Sequence, residues 1–305
     1  MQNKNSNLEL FTALDEIKRT YKRSFPFIFV FMGILLASVA YMFYDKKESG
    51  ELVLLSLAGI AISIIGICVI LTIRANAIKK MKMFFAKRLM ADYFSEIFEN
   101  FDYNPTNRID NHILRSQMFL NGRIDEISGS DYISANYKGL ELEMSDVSLT
   151  EVKVTIDSKG RRRESRHKFF KGLWCVCDLK RTLQTDLWII EKRGFLNSHH
   201  GTVDTDNEAF NKHFAVYTKT PVEAFYVLTP HMMEYIEAID KKVDGKIHLR
   251  FLPDGKLYIA INSNRDSFEF GFNCTIPEAM EIIKKDLGYI TDFIDELMDS
   301  SYYRR

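Results

Sequence analysis

Pro26–Tyr44 reads PFIFVFMGILLASVAYMFY and Leu52–Ile73 reads LVLLSLAGIAISIIGICVILTI, with only DKKESGE between them. Neither run holds a charged side chain. At about 1.5 Å rise per residue, these lengths make helices of about 28 and 33 Å, which matches a hydrocarbon core of about 30 Å. A helix on a soluble core would carry a polar stripe, and neither run has one. The pair reads as a transmembrane helical hairpin, 26–44 and 52–73.

The flanks orient it. Lys18, Arg19, Lys22 and Arg23 precede the first run, and Arg74, Lys79, Lys80, Lys82, Lys87 and Arg88 follow the second. The connecting turn has only Lys46 and Lys47 among three acids. Positive charge stays on the cytoplasmic side, so both termini are expected in the cytoplasm. Basic residues ahead of an apolar run, then Ser38-Val39-Ala40, imitate a secretory signal and its small-residue cleavage site. The run continues past that point and a second follows at once, so the N-terminus is expected to be retained.

Working outward, Leu10, Leu14, Ile17 and Tyr21 recur at helical spacing. Residues 1–25 are therefore expected to form a cytoplasmic amphipathic helix, stopped or kinked at Pro26. Beyond Ile73 no Gly or Pro intervenes before Phe98, and Ile78, Met81, Phe85, Leu89 and Ile97 keep the period. Residues 74–101 read as a juxtamembrane stalk helix, with the N-terminal helix packed beside it.

Residues 102–305 change character. After Asn104-Pro105 and a short helix over Arg108–Phe119, the period becomes two. Tyr132–Tyr137 and Leu140–Met144 flank Gly139 as a hairpin, Val147–Ile156 continues it, and Arg161–Lys180 returns after Asp157–Gly160. Leu187–Ile190, Phe214–Tyr217 and Ala224–Leu228 read as further strands. Thr229 and Pro230 open a helix through Lys242. Lys246–Phe251 and Lys256–Ile261 flank the turn Pro253-Asp254-Gly255. Pro277–Met298 carries an apolar helical stripe. Seven or more mainly antiparallel strands and a long C-terminal helix make an α+β domain.

Several stretches resemble one family: Ile127–Ile133, Gly139–Leu142, Ser145–Val147, Phe170–Leu173, Asp206–Tyr217 and Ala224–Pro230. Their order is similar to that of a bacterial membrane-protein family known only as domain-of-unknown-function family 3137. The resemblance implies two membrane spans, a cytoplasmic β-rich domain and a bacterial inner-membrane location, and it brings no catalytic residues. The strand–Gly–strand opening and terminal helix are also similar, at the level of fold, to GRAM or pleckstrin-homology-like modules. Fold likeness does not assign function.

Composition narrows the chemistry. Forty-one Lys and Arg balance 41 Asp and Glu. A dedicated nucleic-acid binder needs a basic surplus, so no nucleic-acid partner is expected. Four cysteines make no disulfide framework, which fits a reducing compartment. Cys175 and Cys177, two apart on a strand, face one side of a sheet and read as buried small hydrophobes. Trp174 and Trp188 read as core.

His199, His200, Asp204 and Asp206 are the nearest approach to a metal set. Adjacent histidines in a flexible stretch lack the frame that a tetrahedral site demands, so a solvated loop is expected and no cofactor. Arg161, Arg162, Arg163 and Arg166 form a basic hairpin tip that could meet lipid phosphates or an acidic partner. Lys79, Lys80 and Lys82 fit headgroup contact as well as topology. Ser56, Gly59, Ser63 and Gly66 make a small-residue face on the second span, suited to helix packing or self-association. No Walker loop, dinucleotide glycine pattern, His-Glu-x-x-His, Gly-x-Ser-x-Gly or kinase signature occurs.

The expectation is a membrane-anchored binding, scaffold or sensing module without catalysis. Its partners would be membrane lipids and a protein partner or further copies of itself. The alternatives are a signal-triggered membrane-perturbing effector and an enzyme of the membrane surface.

Overall fold

The two apolar runs form helices far longer than the runs themselves. In the computed structural model, which describes residues 2–44, 50–116, 120, 122–156, 158, 160–183, 186–192 and 202–300, α1 spans Gln2–Tyr44 and α2 spans Gly50–Phe84. Both are long and apolar enough to cross a membrane. The chain divides into two compact units, Met1–Leu89 with Phe270–Thr275, and Met90–Glu269 with Ile276–Arg305.

In the first unit α1 and α2 run antiparallel, and small residues bring them together. A Cβ on Gly59 would collide with Ser38 Oγ, and one on Gly66 with the ring of Phe31. Ser56 and Ser63 are buried on the same side of α2. Their hydroxyls donate to carbonyls of their own helix, Ser56 to Val53 O at 2.8 Å and Ser63 to Gly59 O at 2.7 Å. The large aliphatics face outward, with Leu54 70% and Leu36 66% exposed.

Of the stop or kink expected at Pro26, the stop does not occur, and α1 passes through the proline. Proline removes one backbone donor, and the turn before it is held from outside the ladder. Ser24 Oγ donates to Tyr21 O at 2.7 Å, and Arg74 Nη1 reaches the same carbonyl at 3.4 Å. The Arg74 guanidinium also lies over the Tyr21 ring, 3.7 Å from its centroid. Phe272 stacks on Tyr21 at 3.7 Å, Phe270 meets Phe85 at 4.8 Å, and Lys18 Nζ donates to Cys274 O at 2.9 Å. The segment Phe270–Thr275 is thereby strapped to the helix pair.

After α2 comes a π-helical turn, Phe85–Met90, and then α3, Ala91–Ile97. The helical run thus ends at Ile97, close to Phe98, where its apolar period gives out. A strand that the polar sequence NFDYN did not announce follows, β1 at Asn100–Asn104.

The second unit is built on an antiparallel sheet of eight strands in the order β1-β2-β3-β4-β8-β7-β5-β6. The strands after β1 are β2 Glu126–Tyr137, β3 Leu140–Ile156, β4 Arg162–Asp178, β5 Leu187–Glu191, β6 Phe214–Thr218, β7 Lys246–Phe251 and β8 Lys256–Asn262. The β2–β3 turn is Lys138-Gly139, with φ of 51° and 81°. Positive φ at both centres marks the two-residue hairpin that suits twisted strands. At the β7–β8 turn Gly255 takes φ 91°.

Paired residues share a face, so the register shows which side chains stack across the sheet. One row runs Ile133, Met144, Cys175, Ile259, Leu249, Ile189 and Val216, all buried. The hydroxyl of Tyr137, on this face, donates to Asp295 at 3.0 Å. Asp295 belongs to α8, Ile276–Asp299, whose stripe Ala279, Ile283, Leu287, Ile290, Ile294 and Leu297 is buried. The C-terminal helix therefore covers this face. The opposite face carries a smaller core around Trp174, Phe170, Leu149 and Ala260, joined by Ile109 and by Leu114 of α4, Asn111–Ser116.

Two further helices differ from the expectation. Ala224–Leu228 is not a strand; it belongs to α6, Pro221–Val227. Pro221 at the first position favours helix. Ala224 and Val227 are buried three apart, while Phe225 and Tyr226 are exposed, which is a helical and not a period-two pattern. The helix α5, Glu208–His213, is capped by Asn207, whose side chain accepts from Phe210 N. Pro230–Lys242 forms α7, capped by Thr229 as its sequence requires.

Candidate functional site

The β3–β4 pair leaves the body of the sheet. β2 pairs with β3 only as far as Thr150, and β4 pairs with β8 only from Gly172 onward. A register shift at Leu149/Thr150 marks the departure, and from Glu151↔His167 to Ile156↔Arg162 the two strands have no third strand beside them among the described residues. Arg161, Arg162, Arg163 and Arg166 are exposed at this outer ribbon. Arg162 Nη2 meets Glu164 at 2.9 Å, and Arg166 meets Glu126 at 3.1 Å and Glu164 at 3.4 Å. These are exposed pairs, each worth little on its own.

The other basic candidates lie on α2, where Lys79 and Lys80 are exposed and Lys82 is half-buried. The structure brings Ser56, Gly59, Ser63 and Gly66 together on one side of α2, and there they face α1 within the same chain. His199 and His200 lie outside the described residues. Asp204 and Asp206 lie before the Asn207 cap. Among the described residues no three His, Cys, Asp or Glu side chains are grouped to hold a metal ion. Cys175 and Cys177 are fully buried, and burial pushes the Cys177 thiol up to about 12. Such a thiol stays protonated and inert at neutral pH.

Trp174 is core as expected, and Trp188 packs at the margin of the same cluster. Trp188 is half-buried on the face away from α8, and its Nε1 donates to Asp186 at 2.6 Å. Asp186 also takes both arms of Arg250, at 3.0 and 2.6 Å, and that guanidinium lies 4.8 Å from the Trp188 ring. On this same face an open cleft of about 620 Å³ is lined by Asp102, Ser134, Asn136, Glu143, Lys256 and Tyr258, among others. Its lining alternates with the buried row along each strand, so the cleft follows from the period-two pattern.

Asp146 was not singled out in the sequence, although a signal existed. It continues the buried phase Leu142, Met144 of β3, where an apolar residue is due. It is 2% exposed, and Ser267 is the group that approaches its carboxylate as a donor, without reaching close hydrogen-bond geometry. Burial raises its pKa to about 7; Asp131 and Asp266 add to the rise, and Ser267 opposes it. Asp131 sits in the β2 irregularity between Ser130 and Ile133, at φ 59°. There it accepts from Tyr103 and Ser130 hydroxyls at 2.6 Å each. The bulge turns the Asp131 carboxylate off the strand's own alternation.

Fold and surface together define an antiparallel α+β domain following two helices apolar enough for a bilayer, with basic and acidic surfaces. Residues 168–298 match the model of the family described as Protein of unknown function (DUF3137), so over that segment the chain is similar to this family. The segment runs from Lys168 of β4 into α8. No curated protein and no solved structure matches the chain.

Proposed function

We propose that the chain is an integral membrane protein whose α1–α2 hairpin anchors a binding module at the cytoplasmic surface. One observation carries this reading: the hairpin is inside out by the standards of a soluble protein. Serines and glycines lie between the helices while leucines, isoleucines and phenylalanines face outward. In water such a surface would cost about 25 cal/mol per Å² of exposed apolar area. In lipid it costs nothing, and close approach of small residues supplies the packing.

The bases ahead of the first span and after the second support a cytoplasmic placement of both ends. Anchoring raises the effective concentration of a weak module near membrane partners. Those partners are lipids of the inner leaflet together with a protein or further copies of the chain.

Carbonate extraction of membranes expressing the full chain tests the anchor, and the protein is expected to stay in the pellet. A reporter fused after Arg305 should be active only on the cytoplasmic side. Release by carbonate, or an external reporter, overturns the reading. Crosslinking in the native membrane would identify the partner.

A further inference from the structure

We propose that the outer half of the β3–β4 ribbon, Thr150–Ile156 with Arg162–Lys168, is a docking surface for anionic lipid headgroups. The proposal rests on the anchored reading above. Beyond Thr150, which still pairs with Glu126, six residue pairs extend past the sheet, about 20 Å of two-stranded ribbon at about 3.3 Å per residue. A ribbon with no sheet beside it is marginal in water, so its composition is informative. Five Lys or Arg stand in these two strands against two acids, Glu151 and Glu164.

Register decides how they are arranged. On one face Val152, Val154 and Ile156 stand across from Arg166, Glu164 and Arg162. Val154 is 47% and Ile156 74% exposed. Glu164 is engaged by Arg162 and Arg166, and Arg166 also meets Glu126, so this face sets paired guanidinium groups beside the aliphatics, while the ribbon as a whole keeps five bases against Glu126, Glu151 and Glu164. Arginines alone would be accounted for as guards of an unpaired strand edge. Guards do not require two β-branched aliphatics in water on the same face.

A bilayer surface satisfies both kinds of group. The aliphatics enter the headgroup–acyl boundary, while the guanidinium groups pair with phosphates in bidentate fashion. Each basic residue near an anionic leaflet adds favourable energy. An acidic protein would satisfy only the arginines. In a module tethered to a membrane, weak individual contacts suffice.

The test uses the full chain carrying Cys68→Ala and Ile156→Cys, labelled at 156 with an environment-sensitive fluorophore; the three remaining cysteines are buried. It is reconstituted in vesicles of phosphatidylcholine alone or with phosphatidylglycerol. Blue-shifted emission and quenching by spin-labelled lipid are expected with phosphatidylglycerol. Both should fall to the phosphatidylcholine level in Arg162→Gln/Arg166→Gln, with the melting profile unchanged, and return in Arg162→Lys/Arg166→Lys. A label at Val222→Cys on α6 should stay in water throughout.

A fluorophore at 156 that remains in water in carbonate-resistant protein overturns the ribbon proposal alone. So does a shift that follows the protein-to-lipid ratio and ignores lipid charge, which would report contact between copies. Protein released by carbonate overturns the anchor, and the ribbon proposal with it.

Discussion

Arg74 of α2 holds its guanidinium 3.7 Å from the centroid of the Tyr21 ring of α1 and reaches the Tyr21 carbonyl at 3.4 Å. One side chain thus joins the helices through both ring and backbone, one turn before Pro26. Partly shielded cation–π pairs contribute about 1 kcal/mol. Arg74→Ala and Tyr21→Ala should each lower the melting temperature of the detergent-solubilised chain. A double-mutant cycle should give a coupling of about 1 kcal/mol. Strict additivity would show that the two residues act separately.

Gly59 offers a harsher test of helix contact. Any side chain there meets Ser38, and overpacking costs about 1–3 kcal/mol. Gly59→Leu should destabilise the hairpin by that amount. Gly33 has open space beside it, so Gly33→Leu should leave the melting temperature unchanged. Equal effects at the two glycines would refute the packing.

Asp146 makes stability depend on pH in an unusual direction. Its folded pKa of about 7 lies above the ordinary 3.8. Below both values the proton is bound in either state. As pH rises from about 4 to 7 the unfolded chain releases it first, so stability falls across that window and levels off above it. Asp131, Asp266, Tyr103 and Arg265 are the charged or titratable groups coupled to it. Asp146→Asn should flatten the slope and stabilise the chain at pH 8 by about 2 kcal/mol. Urea denaturation followed by tryptophan fluorescence at several pH values reads this. A slope unchanged in the variant would remove Asp146 as its source.

Arg265 and Asp286 form a two-armed pair in which the carboxylate is 2% exposed and also accepts from Phe268 N at 2.9 Å. Removing the cation leaves a buried charge without its counter-ion, which costs about 3 kcal/mol. Arg265→Ala should destabilise by about that much in the same denaturation experiment. Arg265→Ala/Asp286→Asn should recover part of the loss, because the neutral amide is cheaper to bury and its oxygen can still accept from Phe268. A double variant less stable than the single would contradict this account.

Local chemistry made much of the fold legible. Lys138-Gly139, Pro253-Asp254-Gly255 and Thr229-Pro230 each fix a turn or a cap within four residues, and the elements beside them fall where the sequence places them. Ala224–Leu228 misled because aromatic and β-branched residues suit a strand, whereas Thr220-Pro221 and the burial of Ala224 and Val227 favour a helix. NFDYN becomes a strand only because β2 offers a partner from afar. The ribbon arginines stood out as charge, but their sharing of a face with Val154 and Ile156 depends on a register that spans the β3–β4 turn. Asp146 was hidden because a carboxylate on a buried phase is visible only once the phase is fixed.

The narrow seam between α1 and α2 has one more effect. Its hydroxyls and glycines are already spent on the chain's own second helix, so a neighbouring molecule would meet bulky branched hydrocarbon scarcely distinguishable from acyl tails. Any choice of companion would then fall to the second unit, Met90–Glu269 with Ile276–Arg305.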